Sequence, residues 1–238
     1  MIKTHLFIPV LIAILSLYSC TKKLVGTGNS ITKDYSLSDF SSIRLSIDAD
    51  VNYIYDSIYR VEIHAQENVQ DVMKVEVKSG ELHIGMKNMI NFVKYNPIKV
   101  TIHSPHLNGI DISGSGSFHS IGMFESSILE TKISGSGDIT IDYIKVDNFD
   151  IQISGSGSVK INGGESNKFN SRISGSGKLE MPMHKTIEAT TNTSGSGKTI
   201  IWVEEVLNVT ISGSGNVYYK GTPAINMKIS GAGKLIKL

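Results

Sequence analysis

A short pattern of apolar and polar residues recurs seven times in the second half of the chain. Each copy holds Ser-Gly-Ser-Gly, or Ser-Gly-Ala-Gly in the last, and its first serine is residue 113, 134, 154, 174, 194, 212 or 230. The residue before this serine is Ile in six copies and Thr193 in the other, whereas the residue two before it is polar in all seven. Such an alternation with a period of two predicts strands that bury one side.

The even spacing of the copies, 18 to 21 residues, predicts that they stack as a solenoid. In parallel strands about 4.8 Å apart, the isoleucines would form one continuous core. A flexible Gly/Ser linker could explain a single copy, but seven evenly spaced copies, each led by a β-branched residue, exclude it. We expect the paired glycines to form the corners of the coils: Gly114, Gly116, Gly135, Gly137, Gly155, Gly157, Gly175, Gly177, Gly195, Gly197, Gly213, Gly215, Gly231 and Gly233.

Residues 34–110 are less regular but also predict strands. Residues 48–51 look like a degenerate repeat corner, and the strand-like runs 74–78 and 82–84 flank a hairpin turn. We expect opening coils here, with residues 64–98 projecting as a hairpin-like cap. The predicted fold is therefore all-β: one domain over 34–238, a parallel β-helix-like solenoid with coils of about 20 residues in the repeats at 111–238 and a less regular N-terminal β cap.

The first 19 residues predict a processing signal. A basic start is followed by an apolar run over residues 6–17, shorter than the roughly 20 residues of a membrane-spanning helix. The run ends in Leu17-Tyr18-Ser19-Cys20, which resembles the lipobox of bacterial lipoproteins. This resemblance implies cleavage before Cys20 and a diacylglycerol on its thiol, with residues 20–33 as a tether. An ordinary signal peptide that leaves a spare thiol is the alternative.

These features predict a cell-envelope protein, anchored to the outer membrane by lipid on Cys20. Lys22 and Lys23 follow this cysteine closely, and the first acidic residue is Asp34. In one group of bacteria, surface-exported lipoproteins tend to carry acidic residues soon after the lipidated cysteine, so on this resemblance the protein would face the periplasm. The surface-facing orientation, which adhesion to a host would require, stays open.

The charge balance excludes other classes of function. The chain has 23 Lys and Arg against 22 Asp and Glu, so it lacks the excess of basic residues that is typical of nucleic-acid-binding proteins. One cysteine permits neither an intrachain disulfide nor a Cys-rich metal site. The residue after each motif is acidic only at Asp138, so carboxylates do not stack across coils as a catalytic or calcium site would need. We expect no catalytic residue, metal or cofactor.

A family resemblance rests on specific runs. Phe40-Ser-Ser-Ile43, Asp50-Val51, Gly80-Glu-Leu82 and Pro105-His-Leu107, followed by the Ser-Gly-Ser-Gly repeats, resemble the family called putative auto-transporter adhesin, head GIN domain. The resemblance covers essentially residues 40–238. It implies a right-handed β-helix-like fold, a bacterial envelope protein of Bacteroidetes type and a role in adhesion. The family defines no catalytic residues.

The sequence thus predicts a non-enzymatic envelope protein that presents a rigid surface to a polymer or a protein partner. Sugars stack on exposed aromatic rings, so the candidate contacts for a glycan are Tyr53, Tyr55, Trp202, Tyr218 and Tyr219. A polysaccharide-active enzyme and a periplasmic structural or assembly protein are the alternatives. The last motif lies near residue 238, so we also expect an open C-terminal coil through which a second copy could pair.

Overall fold

The computed structural model describes residues 22–87 and 90–238. The predicted signal peptide and Cys20 lie outside the described residues. The protein is nearly all β, a β-solenoid of about six turns with coils roughly 20 residues apart, as the repeat predicted. Within the described residues, no helix is long and apolar enough to cross a membrane.

Over residues 22–87 and 90–238, the strands follow one another with one short helix between β5 and β6. They are β1 (Lys22–Val25), β2 (Ser30–Tyr35), β3 (Ser42–Leu45), β4 (Asp50–Tyr55), β5 (Arg60–Gln66), then α1 (Glu67–Gln70), β6 (Met73–Lys78), β7 (Glu81–Met86), β8 (Ile90–Lys94), β9 (Lys99–Ser104), β10 (Gly109–Gly114), β11 (Ser117–Gly135), β12 (Asp138–Gly155), β13 (Ser158–Ile161), β14 (Gly164–Gly175), β15 (Lys178–Gly195), β16 (Lys198–Gly213), β17 (Asn216–Lys220), β18 (Ala224–Ser230) and β19 (Lys234–Lys237).

The repeats stack in register as parallel strands. Ile112 pairs with Ile133, and the same ladder continues through Ile153, Ile173 and Thr193 to later coils. All five of these side chains are buried, and the polar residue beside each faces outward. The alternation of apolar and polar positions therefore corresponds to the inside and outside of the solenoid.

Each full coil contains three paired segments. In β11 these are residues 117–120, 123–126 and 128–135, which pair separately with β12. The first segments of all coils stack as one sheet, together with β9, β4, β13, β17 and β19. We call the outward surface of this sheet the first face, because it carries the candidate site.

The Ser-Gly-Ser-Gly motif lies at the corner before the first segment. The first glycine of each copy has a φ between +115° and +133°, a conformation that residues with a side chain rarely adopt. A Cβ on Gly155 would lie 2.3 Å from the carbonyl oxygen of Gly135, and one on Gly157 would lie 2.5 Å from that of Gly137. The coils approach so closely at this corner that only glycine fits.

The corner of the opening coils follows the same plan without glycine. Ser117 N–H donates to the carbonyl oxygen of Ala49 at 2.9 Å, as Asp138 N–H donates to that of Gly116 at 3.2 Å. Ala49 therefore takes the place of the second glycine. The prediction of a degenerate corner at 48–51 is confirmed.

The expectation that residues 64–98 project is wrong for β7, which joins the stack, whereas β8 pairs with β1 in a separate two-stranded sheet. Strands β6 and β7 do form the predicted antiparallel hairpin, but β7 also pairs with β3 in parallel. Leu82 and Ile84 of β7 are buried in register with Ile43 and Leu45. The hairpin joins the stack because this pairing buries its apolar side. Antiparallel pairs of β5 with β2 and β9 complete the N-terminal end.

Candidate binding surface on the first face

Trp202 and Tyr218 lie on neighbouring strands of the first face, in the C-terminal coils. Strand β16 pairs with β17 so that Ile200 lies opposite Tyr218 and Trp202 lies opposite Lys220. Both aromatic side chains are half-buried. The two rings are thus diagonal neighbours that share one outward surface.

Three lysines hold their charges close to these rings. The Nζ atom of Lys185 lies 4.7 Å from the centroid of the Trp202 ring, and that of Lys220 lies 5.8 Å from it. The Nζ atom of Lys198 lies 5.7 Å from the centroid of Tyr218. We call these five residues the lysine–aromatic patch. At such distances the ring faces attract the ammonium groups, which orders the long lysine side chains on the surface.

The patch keeps an excess of positive charge. Lys198 pairs with Glu180 at 3.1 Å, and Lys185 lies 3.8 Å from Glu204. Two further lysines of the first face continue the basic strip, since Lys178 pairs with Lys198 in register and Lys234 pairs with Asn216. Neither has an ion pair among the described residues. Five lysines against two glutamates leave a local charge of +3.

Two of the five candidate aromatics do not face solvent as predicted. Tyr53 is fully buried, its Oη donates to the carbonyl oxygen of Ser104 at 3.1 Å, and burial raises its pKa to about 12. Tyr219 lies in register with the buried Ile201 and packs against the core. The expected ligand contact is corrected for both, because each lies on the inward side of its strand.

Tyr55 is exposed but lies far from the patch. It is 44% exposed, and its ring stacks on Phe124 with centroids 6.3 Å apart. Strand β4 is five strand positions from β16 in the first-face sheet, which corresponds to about 24 Å at ~4.8 Å per strand. Tyr55 and Trp202 therefore cannot contact one sugar ring together.

The comparison with known families agrees with this architecture. Residues 39–223 match the family described as "Putative auto-transporter adhesin, head GIN domain". The chain belongs to this family. A comparison of the GIN-domain protein with curated proteins finds no match.

Solved structures with this fold include proteins from Bacteroidetes. A protein described as a putative adhesin from Bacteroides fragilis gives a TM-score of 0.85 at 23% identity, covering 90% of this chain and all of that one. A putative adhesin from Parabacteroides merdae gives 0.73 at 21%, covering 92% and 100%. A "putative lipid binding protein" from Parabacteroides distasonis gives 0.73 at 24%, covering 91% and 100%. At these identities the likeness shows the fold.

The N-terminal part of the first face has a different chemistry. Asp142 accepts hydrogen bonds from His119 Nε2 at 2.9 Å, Gly122 N–H at 3.1 Å and Asn162 Nδ2 at 3.3 Å. These bonds, led by the one from His119, hold the pKa of the Asp142 carboxyl below its usual value. Ser158 donates to Asp138 in the same region. The carboxylates of Asp138 and Asp142 thus already accept hydrogen bonds from neighbouring residues.

A shallow groove on another side of the GIN-domain protein gathers carboxylates, but all of them are paired. Arg44 lies 3.2 Å from both Glu81 and Asp111, and Lys132 lies 3.3 Å from Glu130. A glycosidase needs two carboxylates that are free to act as acid and base, so this groove does not favour a glycosidase function. The described residues also hold no group of three potential metal ligands.

Part of the basic strip at the lysine–aromatic patch could be predicted from the sequence. Lys178, Lys198 and Lys234 all occur at the position after the motif, so their common ladder was visible. The contact of Lys185 with Trp202 was not visible, because it depends on a shift in register between β15 and β16. The coil of β16 is shorter than that of β15 at this point, and the sequence has no turn motif there.

Proposed function

We propose that this protein is a non-enzymatic protein of the cell envelope that binds an anionic polysaccharide on the lysine–aromatic patch. The observation that carries the proposal is Trp202, whose ring lies between Lys185 and Lys220 on an outward surface with a net charge of +3. A uronic acid offers an apolar ring face for the indole and a carboxylate for the lysines. A neutral sugar offers only the first of these.

The scaffold supports binding to a polymer. The strands beneath the patch are about 4.8 Å apart and are held in register by continuous parallel pairing. Lys178 and Lys234 extend the positive strip on either side of Lys198. Several units of a chain can therefore meet a lysine without any movement of the backbone, which lowers the entropic cost of binding.

The family and the fold are consistent with binding. The GIN family is described as a putative auto-transporter adhesin, and the structural neighbours from Bacteroides fragilis and Parabacteroides merdae are described as putative adhesins. Adhesion to a polymer requires many weak contacts along a rigid surface, and it requires no covalent chemistry.

A retention assay tests the proposal. Native electrophoresis through gels that contain polygalacturonate, with dextran gels as the neutral control, should show retardation of the wild type in polygalacturonate alone. Trp202→Ala should weaken the retention about tenfold, since stacking and the ordering of two lysines are lost together. Tyr55→Ala is the matched control and should behave as the wild type. Equal retention of wild type and Trp202→Ala would contradict the proposal.

The location in the cell is a separate part of the proposal. We place the solenoid in the cell envelope, held to the outer membrane by lipid on Cys20, which lies outside the described residues. Protease treatment of whole and lysed cells, with a Cys20→Ala strain alongside, checks this. Digestion in whole cells would place the patch at the surface, and protection until lysis would place it in the periplasm. Unchanged membrane association of Cys20→Ala would contradict the anchor.

A further inference from the structure

A row of exposed apolar side chains lies in the middle of the solenoid, at the corner between the first and second segments of its coils. Met123 pairs with Tyr143 on the next coil, and Met183 holds the same place two coils later. Their exposed fractions are 59%, 42% and 68%. Gly163 lies between Tyr143 and Met183, and a Cβ on it would lie 3.0 Å from the Cδ2 atom of Tyr143. We call these four residues the apolar ridge. A contiguous apolar row of this kind is typical of an interaction surface.

A row of charged side chains runs beside the ridge. Glu125, Lys145, Glu165 and Lys185 lie in register on four successive coils, and all four are exposed. Within the chain, Lys145 lies 3.1 Å from Glu165, and Lys185 lies 3.8 Å from Glu204. We call the four residues in register the charge ladder. Each of them follows a member of the ridge by two positions, so both rows face outward side by side.

The charge ladder complements itself when its direction is reversed. Along the solenoid it reads negative, positive, negative, positive, and in the opposite direction it reads positive, negative, positive, negative. A two-fold axis perpendicular to the solenoid, passing between β12 and β14, would therefore place Glu125 opposite Lys185 of a second copy and Lys145 opposite Glu165 of that copy. A parallel arrangement would instead place each residue opposite its own equivalent, and like charges would oppose it. The ladder thus favours an antiparallel pair.

The rows on either side of the ladder match under the same axis. In the apolar ridge, Met123 would lie opposite Met183 of the second copy, and the large Tyr143 would lie opposite the small Gly163. Methionine side chains adapt readily to one another at such a contact. On the other side of the ladder, Asp147 accepts a hydrogen bond from Asn167 Nδ2 at 2.9 Å, and each would lie opposite the other residue of the second copy. Three neighbouring rows therefore agree on one symmetry axis.

We propose that two copies of the chain associate side by side and antiparallel through the apolar ridge and the charge ladder. The matched rows cover four coils, three steps of ~4.8 Å, which is about 14 Å of the solenoid. An interface of this length is small, so the dimer is weak and reversible, with a dissociation constant in the micromolar range or above.

The interface adjoins the lysine–aromatic patch at Lys185, whose ammonium group lies over Trp202. It does not depend on the proposed function, because the two copies contact each other without any polysaccharide. A dimer would carry two patches, and two linked sites hold a polymer more firmly than one site does.

Sedimentation equilibrium of the chain from residue 20 onward tests the interface, in reducing buffer so that Cys20 cannot link two copies. No polysaccharide is added, so a negative result would leave the proposed function untouched. The wild type should show a monomer–dimer equilibrium. Glu125→Lys and Lys185→Glu each place like charges opposite one another, and each should weaken the dimer at least about tenfold. An equimolar mixture of the two variants should restore dimers, because opposite charges then face each other at both ends of the ladder.

Matched variants of two exposed methionines locate the contact. Met183→Asp places a charge in the apolar ridge and should also weaken the dimer at least about tenfold. Met227→Asp changes a methionine that is 64% exposed on β18 and should dimerise as the wild type does. Circular dichroism checks that all variants fold. The proposal is overturned if the wild type stays monomeric up to about 1 mM, if Glu125→Lys and Lys185→Glu dimerise as the wild type does, if their mixture stays monomeric, or if the two methionine variants behave alike.

Discussion

The coils formed by β11 and β12, the N-terminal coils, have the same backbone arrangement as those formed by β15 to β17, the C-terminal coils. The two regions differ in the residues of their interior and in those of their surface. The interior of the former is filled by Phe118, Phe124 and Phe149, whereas that of the latter includes His184 and Thr199. On the first face, hydrogen-bonded aspartates in the N-terminal coils give way to lysines and aromatic rings. The strand register and the glycine corners thus maintain the fold, and the side chains between them are free to vary.

The polar interior has a cost in stability. Among the described residues, the hydroxyls of Thr191, Thr193 and Thr199 and the Nδ1 atom of His184 are buried without a hydrogen-bond partner in the C-terminal coils, against two such hydroxyls, of Ser120 and Thr131, in β11. Each unpartnered group costs about 1–3 kcal/mol of stability. We therefore expect the C-terminal coils to exchange amide hydrogens faster than the N-terminal coils do.

The largest effect is expected from truncating the apolar interior. Phe149 lies in register with Phe169 on the next coil, and Phe169 lies in register with Ala189 on the coil after it. The same inward position therefore holds both large and small residues. Phe149→Ala should reduce the free energy of unfolding by about 3–5 kcal/mol, since a cavity opens in a closely packed coil. Urea denaturation measures this change. A loss below about 1 kcal/mol would contradict close packing around Phe149.

Acid should destabilise the C-terminal coils through His184. Burial lowers its pKa from 6.5 to about 4. The unfolded chain therefore binds a proton on this residue below pH 6.5 while the folded chain does not, and stability falls as the pH drops from 6.5 to about 4. The loss should reach about 3 kcal/mol.

His184→Gln isolates this effect. Glutamine does not titrate, and its amide can replace the hydrogen bond between His184 Nε2 and Ser166 Oγ. Thermal denaturation across this pH range should show a smaller loss of stability in the variant than in the wild type. Parallel pH profiles would contradict the assignment.

A smaller and opposite effect is expected at Thr199. It occupies a ladder with Leu179 and Val217, and its buried hydroxyl has no partner among the described residues. Thr199→Val has nearly the same shape and should stabilise the protein by about 1 kcal/mol. Thr210→Val, at an exposed position of the same strand, should change stability by less than about 0.5 kcal/mol. A destabilised Thr199→Val would mean that the hydroxyl is bonded.

Much of the fold could be predicted because the repeat is local in sequence. The isoleucines and corner glycines defined the coil length and the inward side directly. The order of the opening layers could not be predicted, because β3 and β4 lie between strands that follow them in the chain. Parallel pairing between segments that are far apart along the chain leaves no short motif in the sequence.

The candidate site was predicted in part, and its errors have a simple cause. Val217 is buried, so strand alternation puts Tyr219 inside and Tyr218 outside. The same reasoning from Val51 puts Tyr53 inside. The period of two accounts for Tyr53 and Tyr219 but not for Tyr55, which follows Tyr53 by two residues and is 44% exposed. The lysines around Trp202 needed the three-dimensional register.

Trp202 is the only tryptophan of the chain, so its fluorescence tests the central claim directly. Titration of the wild type and of Lys220→Ala with oligogalacturonate, and with neutral maltooligosaccharides as the control, is the most direct measurement. The proposed function predicts a saturable change in the emission of the wild type with the acidic sugar, weaker binding in Lys220→Ala and in added salt, and no change with the neutral one. An emission unaffected by the acidic sugar, or equally affected by both, would contradict it.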